Sequence, residues 1–196
     1  MGRFLERLTA GEPASLRALG DSLTVGYLVR RGYLDFLEDM LRERFPGCPV
    51  RLENHGVCGD TVFDGLERCR SVLRPPPADA VIFQFGTNDC FCGISAERYK
   101  AGLLDLVRRH EGSGGTGDLL LLPPPRIDLA EFDTGLDAFR GAVDEVAEET
   151  GAAVAPVLEV WDAHGGSEPL WLDDRVHPTE AGYRLMALAV LRVLCP

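Results

Sequence analysis

The sequence has 196 residues, 45% of them hydrophobic, so residues 1–196 are long enough to bury a core and are expected to form one domain. Its 31 acidic against 20 basic residues give a formal net charge of −11, which argues against nucleic acid or an anionic membrane surface as a partner. No apolar run approaches the ~20 residues of a membrane span, and charges interrupt the first segment, MGRFLERLTAGEP, so a cytoplasmic protein without a secretory signal is expected.

Five short apolar runs, each closed by a turn-forming residue, predict buried strands. In chain order they span residues 16–19, 50–53, 80–85, 119–122 and 153–157. Runs of Val, Ile, Leu and Ala without polar alternation are typical of strands that are covered on both faces, as in a parallel sheet.

Between these strands, apolar residues recur at the three- and four-residue spacing of amphipathic helices. The repeats are Leu34, Leu37 and Leu41; Val62, Leu66, Cys69 and Leu73; Leu136, Phe139, Val143 and Val146; and Tyr183, Met186, Val190 and Val193. Ser95 is a candidate N-cap for a further helix that runs to about His110. Strands alternating with helices predict a three-layer α/β/α domain with a five-stranded parallel sheet.

Polar or glycine-rich segments follow the predicted strands, where ligands bind in such sheets. GDS follows the first strand, NHGVCGDT the second and GTND the third, and DDRVHPT precedes the last helix. Together these segments supply a hydroxyl, carboxylates, an imidazole, a side-chain amide and a flexible backbone N–H. Acyl transfer needs this set, because it requires a nucleophile, a base, a group that orients the base and donors for the oxyanion.

These segments resemble the four blocks of the SGNH/GDSL hydrolase family, which includes esterases and lipases. The blocks are matched in order by GDSLTVG, by residues 56–59, by GTND and by DDRVHP, so the resemblance reaches from residue 20 to residue 178. It implies a flavodoxin-like fold and a serine esterase that cleaves small-molecule carboxylic esters through an acyl-enzyme. By the same resemblance, Ser22 is the nucleophile, His177 the base and Asp174 its partner. The oxyanion donors are then the backbone N–H groups of Ser22 and Gly59 and the side chain of Asn88, and no cofactor or metal is called for.

Two adjacent carboxylates, Asp173 and Asp174, precede His177. Asp174 lies three residues before the histidine, a spacing at which one tight turn brings carboxylate and imidazole together. Asp173 is then expected to point to solvent or to a backbone N–H.

Four other residues near these segments are expected to have structural roles. Asp21 and Asp89 are short carboxylates that can accept backbone N–H groups in tight loops. Trp161 and Trp171 flank the last segment and are expected to pack for their area, although they could also line an acyl pocket.

Two other kinds of protein fit part of the pattern. A flavodoxin-like protein could use GDSLTVG to bind phosphate or flavin, but Asp21 places negative charge there and no lysine is near. A related domain could bind acyl or carbohydrate ligands without cleaving them, although the intact Ser22, Asn88, Asp174 and His177 argue against this. The sequence does not choose among lipid, thioester, carbohydrate acetate and aryl ester substrates, and it leaves the oligomeric state open.

Overall fold

All five predicted strands are present, and they form one parallel sheet in the order β2-β1-β3-β4-β5. The computed structural model describes residues 2–115 and 117–196. The strands are β1 (Ala14–Gly20), β2 (Val50–Gly56), β3 (Ala80–Gln84), β4 (Asp118–Leu121) and β5 (Ala153–Val154). This confirms the predicted α/β fold and its flavodoxin-like strand order.

Helices cover both faces of the sheet. They are α1 (Arg3–Thr9), α2 (Ser22–Val25), α3 (Tyr33–Arg44), α4 (Val62–Arg68), α5 (Thr87–Phe91), α6 (Ala96–Gly112), α7 (Ala130–Thr150), α8 (Val157–Asp162) and α9 (Glu180–Leu194), with a 3₁₀ turn at Cys69–Ser71. Buried side chains of α1, α3, α8 and α9 form the core on one face, and those of α4, α6 and α7 form the core on the other. The sheet is therefore the middle of three layers.

The strand order places the end of β1 inside the sheet, between β2 and β3. Gly20, its last residue, lies opposite Gly56 of β2 and Gln84 of β3. The chain crosses to β2 on one side of β1 and then returns to β3 on the other. Loops that leave the sheet at such a reversal separate and form a crevice, which is where ligands bind in open α/β sheets.

Two predicted elements differ from the structure. The fifth strand was predicted to reach Val157, but β5 contains two residues and Val157 begins α8. Pro156 has no N–H to donate to a neighbouring strand, which ends the pairing. Leu73 was expected to share a helical face with Val62, but α4 ends at Arg68 and Leu73 lies beyond the 3₁₀ turn. Within the described ranges, no helix combines the length and the apolar character that crossing a bilayer requires.

Candidate active site

Ser22 lies where the chain leaves β1 and begins the short helix α2. The carboxylate of Asp21 caps this helix by accepting the N–H of Leu23 at 2.8 Å. Gly20 permits the tight turn, because an added Cβ would lie 2.6 Å from the carbonyl oxygen of Gln84. The side chain of Ser22 is consequently held at the carboxyl end of β1, and the residue remains 9% exposed.

A chain of hydrogen bonds connects Ser22, His177 and Asp174. Ser22 Oγ lies 2.9 Å from His177 Nε2, and His177 Nδ1 lies 2.7 Å from Asp174 Oδ2. A carboxylate can only accept, so Nδ1 carries the imidazole hydrogen and Nε2 is free to accept the serine hydroxyl. The ring of Tyr27 packs against the imidazole, with a centroid separation of 4.9 Å.

Asp174 also holds the turn that carries His177. Its Oδ1 accepts the backbone N–H groups of Val176 at 3.0 Å and of His177 at 2.9 Å. Partial burial would raise the pKa of the Asp174 carboxyl, but these N–H groups and the imidazole hold it below its ordinary value. Asp173 is exposed and makes no hydrogen bond or ion pair with the residues that the structure describes.

Gly59 and Asn88 line the same cavity as Ser22. Asn88 Nδ2 donates to the carbonyl oxygen of Asp60 at 3.0 Å, which fixes the amide and leaves its second hydrogen for another acceptor. Gly59 has φ of +86°, in the left-handed region, whereas an added Cβ would meet no protein atom within 4 Å. Glycine is therefore required here by the backbone conformation and not by a lack of space between protein atoms.

Asp21 and Asp89 are buried beside these loops and accept backbone N–H groups, as the sequence predicts. Asp89 accepts from Gly86 and Val62, each at 3.1 Å, and so connects the loop after β3 to the start of α4. Burial raises the pKa of Asp21 to about 7 and that of Asp89 to about 6.

The two tryptophans support the last loop and do not line the cavity. Trp161 is buried, and its ring centroid lies 5.8 Å from that of Trp171. Trp171 also donates its indole N–H to the carbonyl oxygen of Arg126 at 2.8 Å. The packing role expected for both residues is confirmed.

Arg68 was missed in the sequence analysis, yet it connects three loops at the site. Its guanidinium donates to Asp60 Oδ2 at 2.6 Å, to the carbonyl oxygen of His55 at 2.7 Å and to that of Gly20 at 2.9 Å. It thus ties the end of β1 to the end of β2 and to the loop that carries Gly59. In the sequence, nothing distinguishes Arg68 from Arg70 two residues later, which has no such partner among the described residues.

The site opens into a cavity of about 280 Å³ at the carboxyl edge of the sheet. Its lining comprises Ser22, Leu23, Tyr27, Cys58, Gly59, Thr87, Asn88, Phe91, Asp174, Val176 and His177. All five residues that the sequence analysis assigned to catalysis or to the oxyanion therefore face one space, although they come from four separate segments. A hydroxyl that faces an imidazole and a fixed amide at one cavity can support acyl transfer.

Comparisons with known proteins agree with this chemistry. Residues 18–185 match the GDSL-like Lipase/Acylhydrolase family. An arylesterase of Vibrio mimicus is 29% identical over 178 residues, covering 87% of this chain and 84% of that protein. An acetylxylan esterase of Geobacillus stearothermophilus is 28% identical over 178 residues, covering 82% of this chain and 80% of that protein.

Solved structures share the fold. The crystal structure of the Geobacillus stearothermophilus acetylxylan esterase Axe2 superposes with a TM-score of 0.79 over 93% of this chain and 94% of that one, at 24% identity. An α/β hydrolase from the metagenome of Lake Arreo, Spain, gives a TM-score of 0.81 over 92% of this chain and 94% of that chain, at 26% identity.

Proposed function

The chain belongs to the GDSL-like lipase/acylhydrolase family and is a serine ester hydrolase, and we propose that Ser22, His177 and Asp174 form its catalytic triad. The observation that carries the assignment is the hydrogen-bond chain from Ser22 Oγ through His177 to Asp174. Ser22 and His177 are 155 positions apart in the sequence, so local chain geometry does not explain their contact.

In the proposed mechanism, His177 Nε2 takes the hydroxyl proton as Ser22 Oγ attacks the ester carbonyl carbon. The carbon–oxygen bond to the alcohol then breaks, and His177 returns the proton to the departing oxygen. This leaves the acyl group on Ser22. Water attacks the acyl-enzyme by the same route, with His177 again removing a proton, and releases the acid and free Ser22. Asp174 keeps the imidazole in the required tautomer and offsets the charge of the imidazolium.

We assign the oxyanion to three donors: the backbone N–H groups of Ser22 and Gly59 and the side-chain amide of Asn88. Ser22, Gly59 and Asn88 line one cavity, and the amide of Asn88 is fixed through Asp60, which supports this assignment. Donors that are fixed before reaction stabilise a developing negative charge without reorganisation. We assign Arg68 the role of positioning residue, because it holds the loops that carry two of these donors and does not itself line the cavity.

A labelling experiment tests the nucleophile. A fluorophosphonate should modify Ser22 in the native protein and fail to modify the Ser22→Ala variant, with peptide mapping to locate the adduct. Cys58 is the competing nucleophile, since it is exposed and lines the same cavity. An adduct on Cys58, or an unlabelled protein, would overturn the assignment. Turnover of p-nitrophenyl acetate separates a hydrolase from a domain that only binds acyl or carbohydrate ligands. The match to the GDSL-like lipase/acylhydrolase family argues against the flavin-binding alternative.

We further propose that residues 1–196 work as one domain in the cytoplasm on a small-molecule ester. Both cores pack on the two faces of one sheet, which supports a single folding unit. All six cysteines are free thiols, which suits a reducing compartment. The curated relatives named above as esterases support an ester substrate.

A further inference from the structure

We propose that the ester cleaved at this site has an apolar acyl group longer than acetyl, held by Phe91 and Phe132, and that acetylated carbohydrate is a poor substrate. The inference rests on the proposed function, since it takes Ser22 as the nucleophile and His177 as the base. It adds the chemical class of the substrate.

The exposed apolar side chains of the molecule are gathered at one edge of the sheet. In the part of the chain that the structure describes, the large hydrophobic residues that remain exposed are Val25, Tyr27, Leu28, Val57, Phe91 and Phe132. Each lies in a segment that follows the carboxyl end of β1, β2, β3 or β4. Exposed apolar surface that is concentrated around a site marks contact with an apolar ligand.

Phe91 and Phe132 form a continuous aromatic wall at this edge. Phe91 ends α5, the helix that carries Asn88, and lines the cavity. Phe132, in the first turn of α7, packs edge-on against it with ring centroids 4.9 Å apart. Phe132 is 48% exposed, so the wall extends from the cavity to the surface.

The lining offers few groups for a polar ligand. Beyond the five residues assigned to catalysis and the oxyanion, it contains Leu23, Tyr27, Cys58, Thr87, Phe91 and Val176, with no charged or amide side chain among them. Thr87 is buried and only 3% exposed. Sugar hydroxyls lose hydrogen bonds to water on binding and need partners in return, so this lining disfavours a carbohydrate.

The chemistry of the triad assigns the aromatic wall to the acyl group. The leaving oxygen must lie at His177 Nε2, which returns its proton. The carbonyl oxygen of the acyl group must instead lie at the proposed oxyanion donor Asn88, and Phe91 ends the helix that carries Asn88, so the wall is assigned to the acyl chain. Each methylene that this wall buries should improve kcat/KM by up to about fourfold.

The test compares kcat/KM for p-nitrophenyl acetate, butyrate and hexanoate, each kept below the concentration at which it aggregates, with acetylated xylo-oligosaccharide as the polar substrate. We expect wild-type kcat/KM to rise with chain length by about tenfold or more from acetate to hexanoate. Phe91→Ala and Phe132→Ala should lower that hexanoate-to-acetate ratio severalfold. Phe63→Ala is the matched control, because Phe63 packs against Arg98 and does not line the cavity, so its ratio should equal the wild-type ratio.

Alkyl fluorophosphonates provide a second measurement that does not depend on turnover. A hexyl phosphonate should inactivate the wild type faster than a methyl phosphonate, and Phe132→Ala should reduce the difference. If Ser22 is labelled but kcat/KM falls from acetate to hexanoate, the proposed substrate class is overturned and the triad stands. The same conclusion follows if Ser22 is labelled and the acetylated sugar is the best substrate. In a separate titration of p-nitrophenyl hexanoate through the concentration at which it aggregates, activity that begins only above that concentration would point to a lipid surface and overturn the proposal. Failure to label Ser22 at all would overturn the proposed triad as well.

Discussion

The carboxylate of Asp174 binds His177 at two places, its backbone N–H through Oδ1 and its ring Nδ1 through Oδ2. The first hydrogen bond closes the turn between the two residues, and the second fixes the orientation of the ring. One side chain thus determines both where the imidazole lies and which nitrogen faces Ser22. The neighbouring Asp173 shares the sequence context and none of these contacts.

Replacing Asp174 should therefore be far more damaging than replacing Asp173. Asp174→Asn should lower kcat by about 10⁴, because an amide can donate to Nδ1 and favour the wrong tautomer. Asp173→Asn is the matched control and should change kcat less than about twofold, as surface substitutions generally do. The measurement is steady-state kcat of both variants. A large loss of kcat in Asp173→Asn with nearly normal kcat in Asp174→Asn would instead identify Asp173 as the acid of the triad.

Ser22→Ala should abolish esterase activity without unfolding the protein. The hydroxyl is the proposed nucleophile, and loss of a triad nucleophile costs on the order of 10⁶ in kcat, as it does in subtilisin. Thermal unfolding should be nearly unchanged, because the Asp21 cap on the Leu23 N–H does not involve the serine side chain. Retention of more than a few percent of wild-type kcat by a pure sample would contradict the assignment.

The loops of the site could be predicted because of where the strands end. Apolar runs located β1, β2 and β3, and the carboxyl ends of parallel strands meet at one edge, so Ser22, Gly59 and Asn88 were expected together. The role of Arg68 could not be predicted in the same way. Its three acceptors include the carbonyl oxygens of Gly20 and His55, and which carbonyls a long side chain reaches depends on how α4 packs against the strand ends.

The contact between Phe91 and Phe132 that forms the aromatic wall could not be predicted from the sequence either. Phe91 and Phe132 are separated along the chain by α6 and β4, and both fit the ordinary composition of an amphipathic segment. Whether such a residue is buried or exposed follows from the packing of α5 against α7, which spacing alone does not specify. The short helix α8 escaped prediction for a related reason, since six residues are too few to show a period.

Arg68→Lys should lower kcat by about tenfold to 100-fold with little change in KM. A lysine ammonium cannot reach Asp60, His55 and Gly20 together, so the loops carrying the oxyanion donors lose their common anchor. Small displacements of catalytic groups have costs of this size. Arg70→Lys is the control, because Arg70 lies two residues away and has no hydrogen-bond or ion-pair partner among the described residues. Added guanidinium should restore part of the activity of Arg68→Ala; an equal loss in kcat for the Arg70 variant would instead indicate a general effect of charge.

Asn88→Ala should lower kcat by about 10² to 10³, the usual effect of removing one oxyanion donor. KM should change much less, since the oxyanion charge develops only in the transition state. Asn88→Asp tests the sign of the interaction, because an acceptor replaces the donor and should be at least as damaging. If KM rose while kcat held in Asn88→Ala, the amide would bind the substrate ground state instead.

The buried carboxyl of Asp21 should make the protein less stable as pH rises from about 4 to about 7. Burial raises its pKa from an ordinary value of 3.8 to about 7, so in this interval the folded protein holds a proton that the unfolded chain has released. Stability contributed by that proton is complete below pH 3.8 and is lost as pH passes through 7. At 1.36 kcal/mol per pH unit, the loss is about 4 kcal/mol at most.

Thermal unfolding of the wild type and of Asp21→Asn, measured across this pH range, checks the expectation. The asparagine side chain cannot titrate and can still accept the Leu23 N–H, so the variant should lose much of the decline in melting temperature between about pH 4 and pH 8. Part of the decline should remain, because burial also raises the pKa of Asp89, to about 6, and its proton has the same sign of effect. Asp105→Asn is the control, since that carboxylate pairs with Arg108 at the surface and should leave the wild-type slope in place. Identical slopes for the wild type and Asp21→Asn would mean that Asp21 is already ionised in the folded protein at about pH 4, and that its hydrogen bond from the Leu23 N–H outweighs the effect of burial.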